Sequence, residues 1–441
     1  MRKVTMKWVN HASYTIKYQS IHLIVDPWLF GSSFNDGWDL LVESKFKIKD
    51  FRNITHIWFS HEHPDHFSPS VLSNIPEDIR NDITVLFQET GDKRVLNVCE
   101  QLSFKVKELT HLEKYFLQDD FTIICGNVGK IVGIDSWLLC EISRLKILNL
   151  NDCIIDKRKL CESIKNITGE VDILATQFSY ANWIGNPEDS LLREKSAKEK
   201  LQRVKIQIES FKPRYTIPFA SFIYFSHDEN KYMNDRINTV GTATNFIYEQ
   251  TDSHPVVLYP DDEWDCSSPH SNESALEKYK SAYDRLPSLP YRRPSQPIPE
   301  HDLLKASERY LKDLQKNNSI FAMKLLGLLP TWFGFRTLTI KLMDSDRYCS
   351  FNLTAGLRFI YSSPNSEDVT MSSQSLQKIF ELQWGIGSLL VNGRYRASIE
   401  GRKKIGRIFM LGLMNSRNQF LSIGFLLNKV IEKVLRKIMG T

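Results

Sequence analysis

The chain has 441 residues, 42% hydrophobic and 25% charged, a length for two or three cores and a composition that excludes a disordered, collagen-like or disulfide-stapled chain. No apolar run approaches the roughly 20 residues of a membrane-spanning helix, no apolar h-region follows the basic start, and the seven cysteines form no CxxC pair, so a cytoplasmic protein is expected. The net charge of +5 is uneven: residues 401–441 hold nine Lys/Arg against one acid, Glu432, which suits an anionic partner or a solvated helix face.

In chain order, the first 260 residues alternate short apolar runs with polar turns. TIKY, IHLIVDPWLF, ITHIWFSH, DITVLF, FTIICG, SWLLCEI, LKILNLND, VDILATQF, YTIPFA and HPVVLYP are strand-length and rich in β-branched or aromatic residues. Helical spacing is shorter around 68–75 and 93–102, and clearest over 191–211, where apolar positions recur three and four apart. Residues 1–265 therefore read as a layered α+β domain. Residues 266–302 read as a linker, because five prolines fall between Pro287 and Pro299. Residues 303–441 then read as a smaller α/β domain that opens with a helix (HDLLKASERYLKDLQKNN) and continues through TLTIKLMD, RYCSFNL and LRFIYSS. Its end, 420–439, has apolar positions on one face and Lys429, Lys433, Arg436 and Lys437 opposite, a basic amphipathic helix suited to an anionic membrane surface or to packing on its own domain. No zinc-finger or aromatic-interleaved RNA-binding pattern is present, so nucleic acid is not an expected partner.

The densest chemistry lies in THIWFSHEHPDHFSP, where His61, His63, Asp65 and His66 follow an apolar strand. Several imidazoles buried together are costly without a ligand, and Pro64 favours the turn that would gather them. Asp65 and His66 can face a second ion beside that of His61 and His63, as in two-metal sites that clamp an oxygen substrate.

HEHPDH resembles the HxHxDH motif of the metallo-β-lactamase superfamily, whose fold is an αββα sandwich with a dinuclear site between its sheets. WVNHASYTIKY and IHLIVDPWLFG resemble the opening hairpin of its UlaG-like branch, with His11 and Asp26 at characteristic positions. The resemblance implies that Asp152, ending LKILNLND, is the metal-bridging aspartate and that His227, in YFSHDEN, is the last histidine ligand. The histidine many members carry before that aspartate is missing from GKIVGIDSWLL. Asp135 is the nearest substitute, although a turn aspartate fits as well, and His111 is the other candidate. NLNDC, QFSYANWIGNP and IPFASFIYFSHDENKYMN are similar to the catalytic part of the CMP-N-acetylneuraminate hydroxylase family, which normally adds a Rieske domain; no CxH…CxxH pairing for one occurs here. The C-terminal part faintly resembles a sterol-carrier-like fold.

Tyr180, Asn182 and Trp183 suit a substrate wall or a core. Glu62 suits an outer base or a solvated loop, His11 a group that orients a ligand or equally a capped-turn histidine, and Cys153 a small buried hydrophobe. Carboxylates at Asp65, Asp152 and Asp135 suit a harder ion than an all-histidine zinc site. An iron oxygenase of a small molecule, fed by a separate electron-transfer protein, therefore stands first. A hydrolase of an ester, phosphoester, amide or lactone, with iron or zinc, stands close behind, and a metal-binding scaffold third. In either enzyme Asp65 and His66 are the expected catalytic residues.

Overall fold

The computed structural model describes residues 3–128, 135–294, 296–328, 335–362, 364–416 and 419–424. Strands β1 (Thr5–Asn10), β2 (Ser13–Tyr18), β3 (Ile21–Val25), β4 (Trp38–Leu40), β5 (His56–Phe59), β6 (Thr84–Gln88), β7 (Lys105–Leu109) and β8 (Lys114–Gln118) come first. They are followed by β9 (Phe121–Val128), β10 (Asp135–Ile142), β11 (Leu145–Asn151), β12 (Ile173–Gln177), β13 (Tyr215–Phe219), β14 (Ile223–Phe225), β15 (His254–Pro255) and β16 (Glu263–Asp265). They form two seven-stranded sheets, in the orders β16-β1-β2-β3-β5-β6-β7 and β15-β13-β12-β11-β10-β9-β8, while β4 and β14 pair separately.

The two sheets face each other across one apolar layer. Met6, Trp8, Tyr14 and Ile16 from the first sheet meet Ile123, Leu138, Ile147 and Ile173 from the second. Helices α1 (Pro69–Asn74), α2 (Glu77–Arg80) and α3 (Arg94–Gln101) cover the outer face of the first sheet, where Val71, Ile79 and Leu96 pack on Ile57, Phe59 and Val85. Helices α4 (Arg158–Thr168), α5 (Ser190–Phe211) and α6 (Val240–Gln250) follow β11, β12 and β14, and their Cys161, Ile164, Leu201, Val204 and Ile247 join the core of the second sheet. Central strands such as β12 are buried along their whole length, which is why they read as unbroken apolar runs and not as alternating ones. The architecture is the αββα sandwich expected from the sequence.

The stretch expected as a linker contains α7 (Glu273–Asp284), whose Ala275, Tyr279 and Ala282 are buried. Its proline-dense end runs beside β14, with the Asp228 N–H donating to the Arg292 carbonyl at 2.8 Å. Beyond it, α8 (Glu300–Asn317), α9 (Ile320–Leu328), β17 (Leu338–Leu342), β18 (Arg347–Asn352), β19 (Gly356–Ile360), β20 (Val369–Met371), α10 (Ser373–Glu381), α11 (Gly385–Asn392), β21 (Tyr395–Ala397) and α12 (Ile399–Asn415) build a second unit. Its sheet runs β19-β18-β17-β20-β21. The amphipathic helix expected over 420–439 lies mostly outside the described residues.

The second unit shares a core with the sandwich: Trp28, Phe34, Trp38, Tyr180, Trp183 and Phe225 belong to the same apolar cluster as Leu389 and Tyr395. Trp183 stacks on Tyr395 at 4.9 Å between ring centroids. Gly37 is required at the seam, since a Cβ there would lie 2.4 Å from the Cβ of Asn392. The buried pair Arg394–Glu229, at 2.6 Å, ties β21 to the loop after β14. Replacing Arg394 by methionine strands the Glu229 charge and is expected to lower stability by about 3–5 kcal/mol in urea unfolding. A Glu229→Gln/Arg394→Met double variant should recover part of that loss.

Candidate metal centre

The site forms where five segments end on the same rim of the sandwich: the β1–β2 turn (His11), the end of β3 (Asp26), the loop after β5 (Ser60 to His66), the end of β11 (Asn151, Asp152) and the end of β12 (Gln177). Three of these residues, His11 (φ 40°), Asp26 (φ 39°) and Asn151 (φ 49°), have left-handed backbone without being glycine, a conformation that persists only where the surroundings over-determine it.

Asp26 supplies that determination. Its Oδ1 accepts the Ser60 N–H at 2.8 Å, and its Oδ2 accepts Ser60 Oγ–H at 2.7 Å and Asn151 Nδ2–H at 2.5 Å. His66 Nδ1 sits 2.9 Å from the same Oδ2, so the ring carries its hydrogen there and turns Nε2 inward. Ser60 Oγ, having given its hydrogen to Asp26, accepts from His61 Nδ1 at 2.9 Å, which leaves the lone pair of His61 on Nε2, facing His63 Nδ1. One aspartate and one serine thus set the tautomers of two imidazoles.

His11 acts on the other side. Its Nδ1 accepts the Phe222 N–H at 3.2 Å, so its Nε2 carries a hydrogen and points it at Asp65 Oδ2, 3.3 Å away. Although His11, Asp65 and His66 cluster tightly enough to hold an ion, this tautomer makes His11 a positioning group for Asp65. It leaves Asp65 Oδ1 buried without a hydrogen-bond partner.

The second cluster tight enough to hold an ion is His61, His66 and Asp152. Asp152 Oδ2 lies 3.5 Å from His66 Nε2, and His63 joins through its Nδ1, 2.8 Å from His61 Nε2. Asp135, at the start of β10, places Oδ1 3.9 Å from His61 Nε2. The structure therefore gathers His61, His63, Asp65, His66, Asp152 and Asp135 around one rim. Residues 129–134 of the turn before Asp135 lie outside the described residues. Asp65 Oδ1 is buried without a hydrogen-bond partner, a costly state that a cation would relieve, and His66 Nε2 makes no hydrogen bond but has Asp65 Oδ2 at 3.3 Å and Asp152 Oδ2 at 3.5 Å. These residues fit a metal site.

The electrostatics agree. Burial alone would lower the His66 imidazole, but Asp65, Asp152 and Asp26 outweigh it and hold its pKa well above the ordinary value. Burial alone would raise Asp65 and Asp152, but His66 outweighs it and keeps both carboxylates ionised below their usual range. Burial pushes His61 and His63 down, toward the neutral form that binds metal. Burial also pushes Asp135 up to about 6.

His227 is not part of this rim. Its Nδ1 accepts the Glu229 N–H at 3.2 Å, and its N–H donates to Asn230 Oδ1 at 3.0 Å. The physical reason is that the loop after β14 is drawn toward the second unit by the Arg394–Glu229 pair. The residue that does follow β13 at the rim is Ala220, also left-handed at φ 46°, which offers no ligand atom in its side chain. His111 is exposed on the turn between β7 and β8, where its Nδ1 accepts the Asn127 N–H at 3.3 Å, and it joins neither ion-sized cluster found among the described residues. Tyr180 and Trp183 are not an open wall: both are buried in the core shared with the second unit, and the Tyr180 hydroxyl donates to the Met233 carbonyl at 2.5 Å. Asn182 is half-buried, donating to the Trp183 carbonyl at 3.3 Å. Cys153 is buried, and burial pushes its thiol well above the ordinary range, as for a small hydrophobe. Ser60, Asn151 and Gln177 were not singled out in the sequence; only their adjacency to His61, Asp152 and a strand end hints at them.

Residues 5–124 match the model of the β-lactamase superfamily domain. The cytidine monophosphate-N-acetylneuraminic acid hydroxylase of Xenopus laevis is 24% identical over 245 residues, which cover 53% of this chain and 40% of that protein. The chain thus spans less than half the length of this relative. Among solved structures, CmlA, a diiron β-hydroxylase from Streptomyces venezuelae, aligns over 60% of this chain and 54% of its own at 14% identity and a TM-score of 0.43. An isothiocyanate hydrolase from Delia radicum gut bacteria aligns over 59% and 98% at 13% identity and a TM-score of 0.42. With helices outside two facing sheets and a histidine–aspartate rim at their edge, the first part of this chain is an αββα sandwich whose residues 5–124 match the β-lactamase superfamily domain, and it is similar in sequence to the CMP-N-acetylneuraminic acid hydroxylases.

Proposed function

We propose that this chain is a dinuclear-metal oxygenase that hydroxylates a small molecule, with its electrons delivered by a separate protein. The observation that carries this reading is the donor set: three carboxylates, Asp65, Asp152 and Asp135, share the rim with three imidazoles, a balance that favours a harder, redox-active ion over zinc. The similarity to hydroxylases adds support. His61, His63 and Asp135 would hold one ion, Asp65 and His66 the other, and Asp152 would lie between them. Bound iron would supply the one-electron chemistry that O₂ requires.

The protein's own part is orientation and proton placement. Asp26 and Ser60 keep the imidazole hydrogens on Nδ1, His11 turns Asp65, and Asp65 and His66 are themselves shielded from water. Burial pushes Asp135 up to about 6 in the metal-free site, so it would give up its proton to bind an ion. Hydroxylation consumes O₂, two electrons and two protons and yields the alcohol and one water, so a reductant must act from outside this rim.

Protein purified without added metal should contain iron, and turnover should require O₂ and an external reductant. Equal turnover in anaerobic buffer with zinc alone would assign the site to hydrolysis by a metal-bound water, the reading that the superfamily match favours.

A further inference from the structure

The wall of the site carries a lysine that none of the preceding chemistry uses. Lys200, half-buried on α5, donates through Nζ to Gln177 Oε1. Gln177, the last residue of β12 and itself buried, donates through Nε2 to Asp152 Oδ1 at 3.0 Å. A lysine, an amide and a carboxylate are therefore joined in one line from the helix layer to the metal rim.

The direction of this line is determined by chemistry. Asp152 is held ionised and can only accept, so Gln177 must present its amino group to it. The amide oxygen is then forced toward α5, where a partner must donate. Lys200 keeps a hydrogen for that oxygen in both its ammonium and its amine form. The Ala220 carbonyl lies 3.5 Å from the same Gln177 nitrogen, so the reversed amide would set its oxygen against two acceptors. With Oδ1 engaged by Gln177, Asp152 has only Oδ2 turned toward His66.

We propose that Lys200 is a positioning residue which, by holding the Gln177 amide in one orientation, makes Asp152 a single-oxygen ligand and sets the metal affinity of the rim. This rests on the metal-site reading above, since it concerns the geometry of the same aspartate. The Lys200 nitrogen bonds the amide and not the carboxylate, so its hydrogen bond reaches Asp152 through Gln177, while its charge is also felt by Asp152 and Asp135. Removing it does not remove a ligand; it frees the amide to rotate and Asp152 with it. Outer partners of metal ligands typically change affinity by about 10–100-fold when lost.

The test is equilibrium titration of the chelated full chain with ferrous and zinc ions, alongside thermal unfolding of the chelated protein. Lys200→Met should weaken metal binding by about tenfold while leaving the unfolding temperature of the chelated chain unchanged, and Lys200→Arg, which still donates, should restore most of it. Gln177→Leu should weaken binding at least as much. In the Gln177→Leu background, Lys200→Met should cause no further loss, because the hydrogen-bonded link is gone and removing a positive charge beside Asp152 does not weaken cation binding. Unchanged affinity in Lys200→Met, or additive losses in the double variant, would overturn the proposal. If the unsubstituted chain binds neither ion, the metal-site reading itself fails, a result separable from either of these.

Discussion

Replacing His66 by alanine is expected to abolish turnover and to weaken metal binding by well over about 100-fold, more than loss of an outer partner produces. His66 Nε2 lies between Asp65 Oδ2 at 3.3 Å and Asp152 Oδ2 at 3.5 Å, so it is the one ring that belongs to both ion-sized clusters. Asp65→Ala should abolish turnover as well, while leaving the His61 cluster able to hold one ion. Metal stoichiometry after dialysis distinguishes them: His66→Ala should retain less than Asp65→Ala. Retention of full metal content by His66→Ala would contradict the assignment.

The same ring predicts a pH signature. His66 is held well above its ordinary value by Asp65, Asp152 and Asp26 against the effect of burial, so in chelated protein it contributes stability below roughly pH 6.5, its unfolded value. That contribution is lost as pH rises through the elevated folded value. A metal ion must displace the Nε2 proton, so binding should release a proton and tighten with rising pH. Calorimetric titration in buffers of different ionisation enthalpy measures that release.

Asp26→Ala is expected to be the most damaging substitution outside the metal ligands. It removes the acceptor of four groups at once: the Ser60 N–H, Ser60 Oγ, Asn151 Nδ2 and His66 Nδ1. All are buried, and stranding one partner of a buried charged pair costs about 3–5 kcal/mol. Urea unfolding should show a loss of that size. Any protein that folds should bind metal about 10–100-fold more weakly, because His61 and His66 lose the bonds that fix their tautomers. Asp26→Asn, which keeps the shape and three of its oxygen contacts, should fall between. Asp26→Ala with unchanged stability and metal affinity would show that the Ser60 hydroxyl alone orients both rings.

Local sequence determined a great deal about this protein. The apolar runs predicted most strands because a strand buried between layers must be apolar along its length, and HEHPDH announced the centre because such ligand density has no other inexpensive burial. Asp152 was legible as a strand-end carboxylate, and its link to that loop came from the family resemblance. What local sequence did not determine was anything set by contacts across the chain. Ser60, Gln177 and Lys200 look ordinary in isolation, and their roles arise only because β3, β5, β12 and α5 bring them to one rim.

His227 shows the same limit in the opposite sense. Its position in the chain suited a ligand, but the tertiary structure turns its loop toward Arg394 of the second unit, 165 residues away in sequence. Tyr180 and Trp183, which read equally as wall or core, became core because Leu389 and Tyr395 cover them. Short-range pattern determines which residues are buried or able to bind an ion; which partner each one meets is decided by packing between distant segments, where a buried charge or ring must find its complement or not be buried at all.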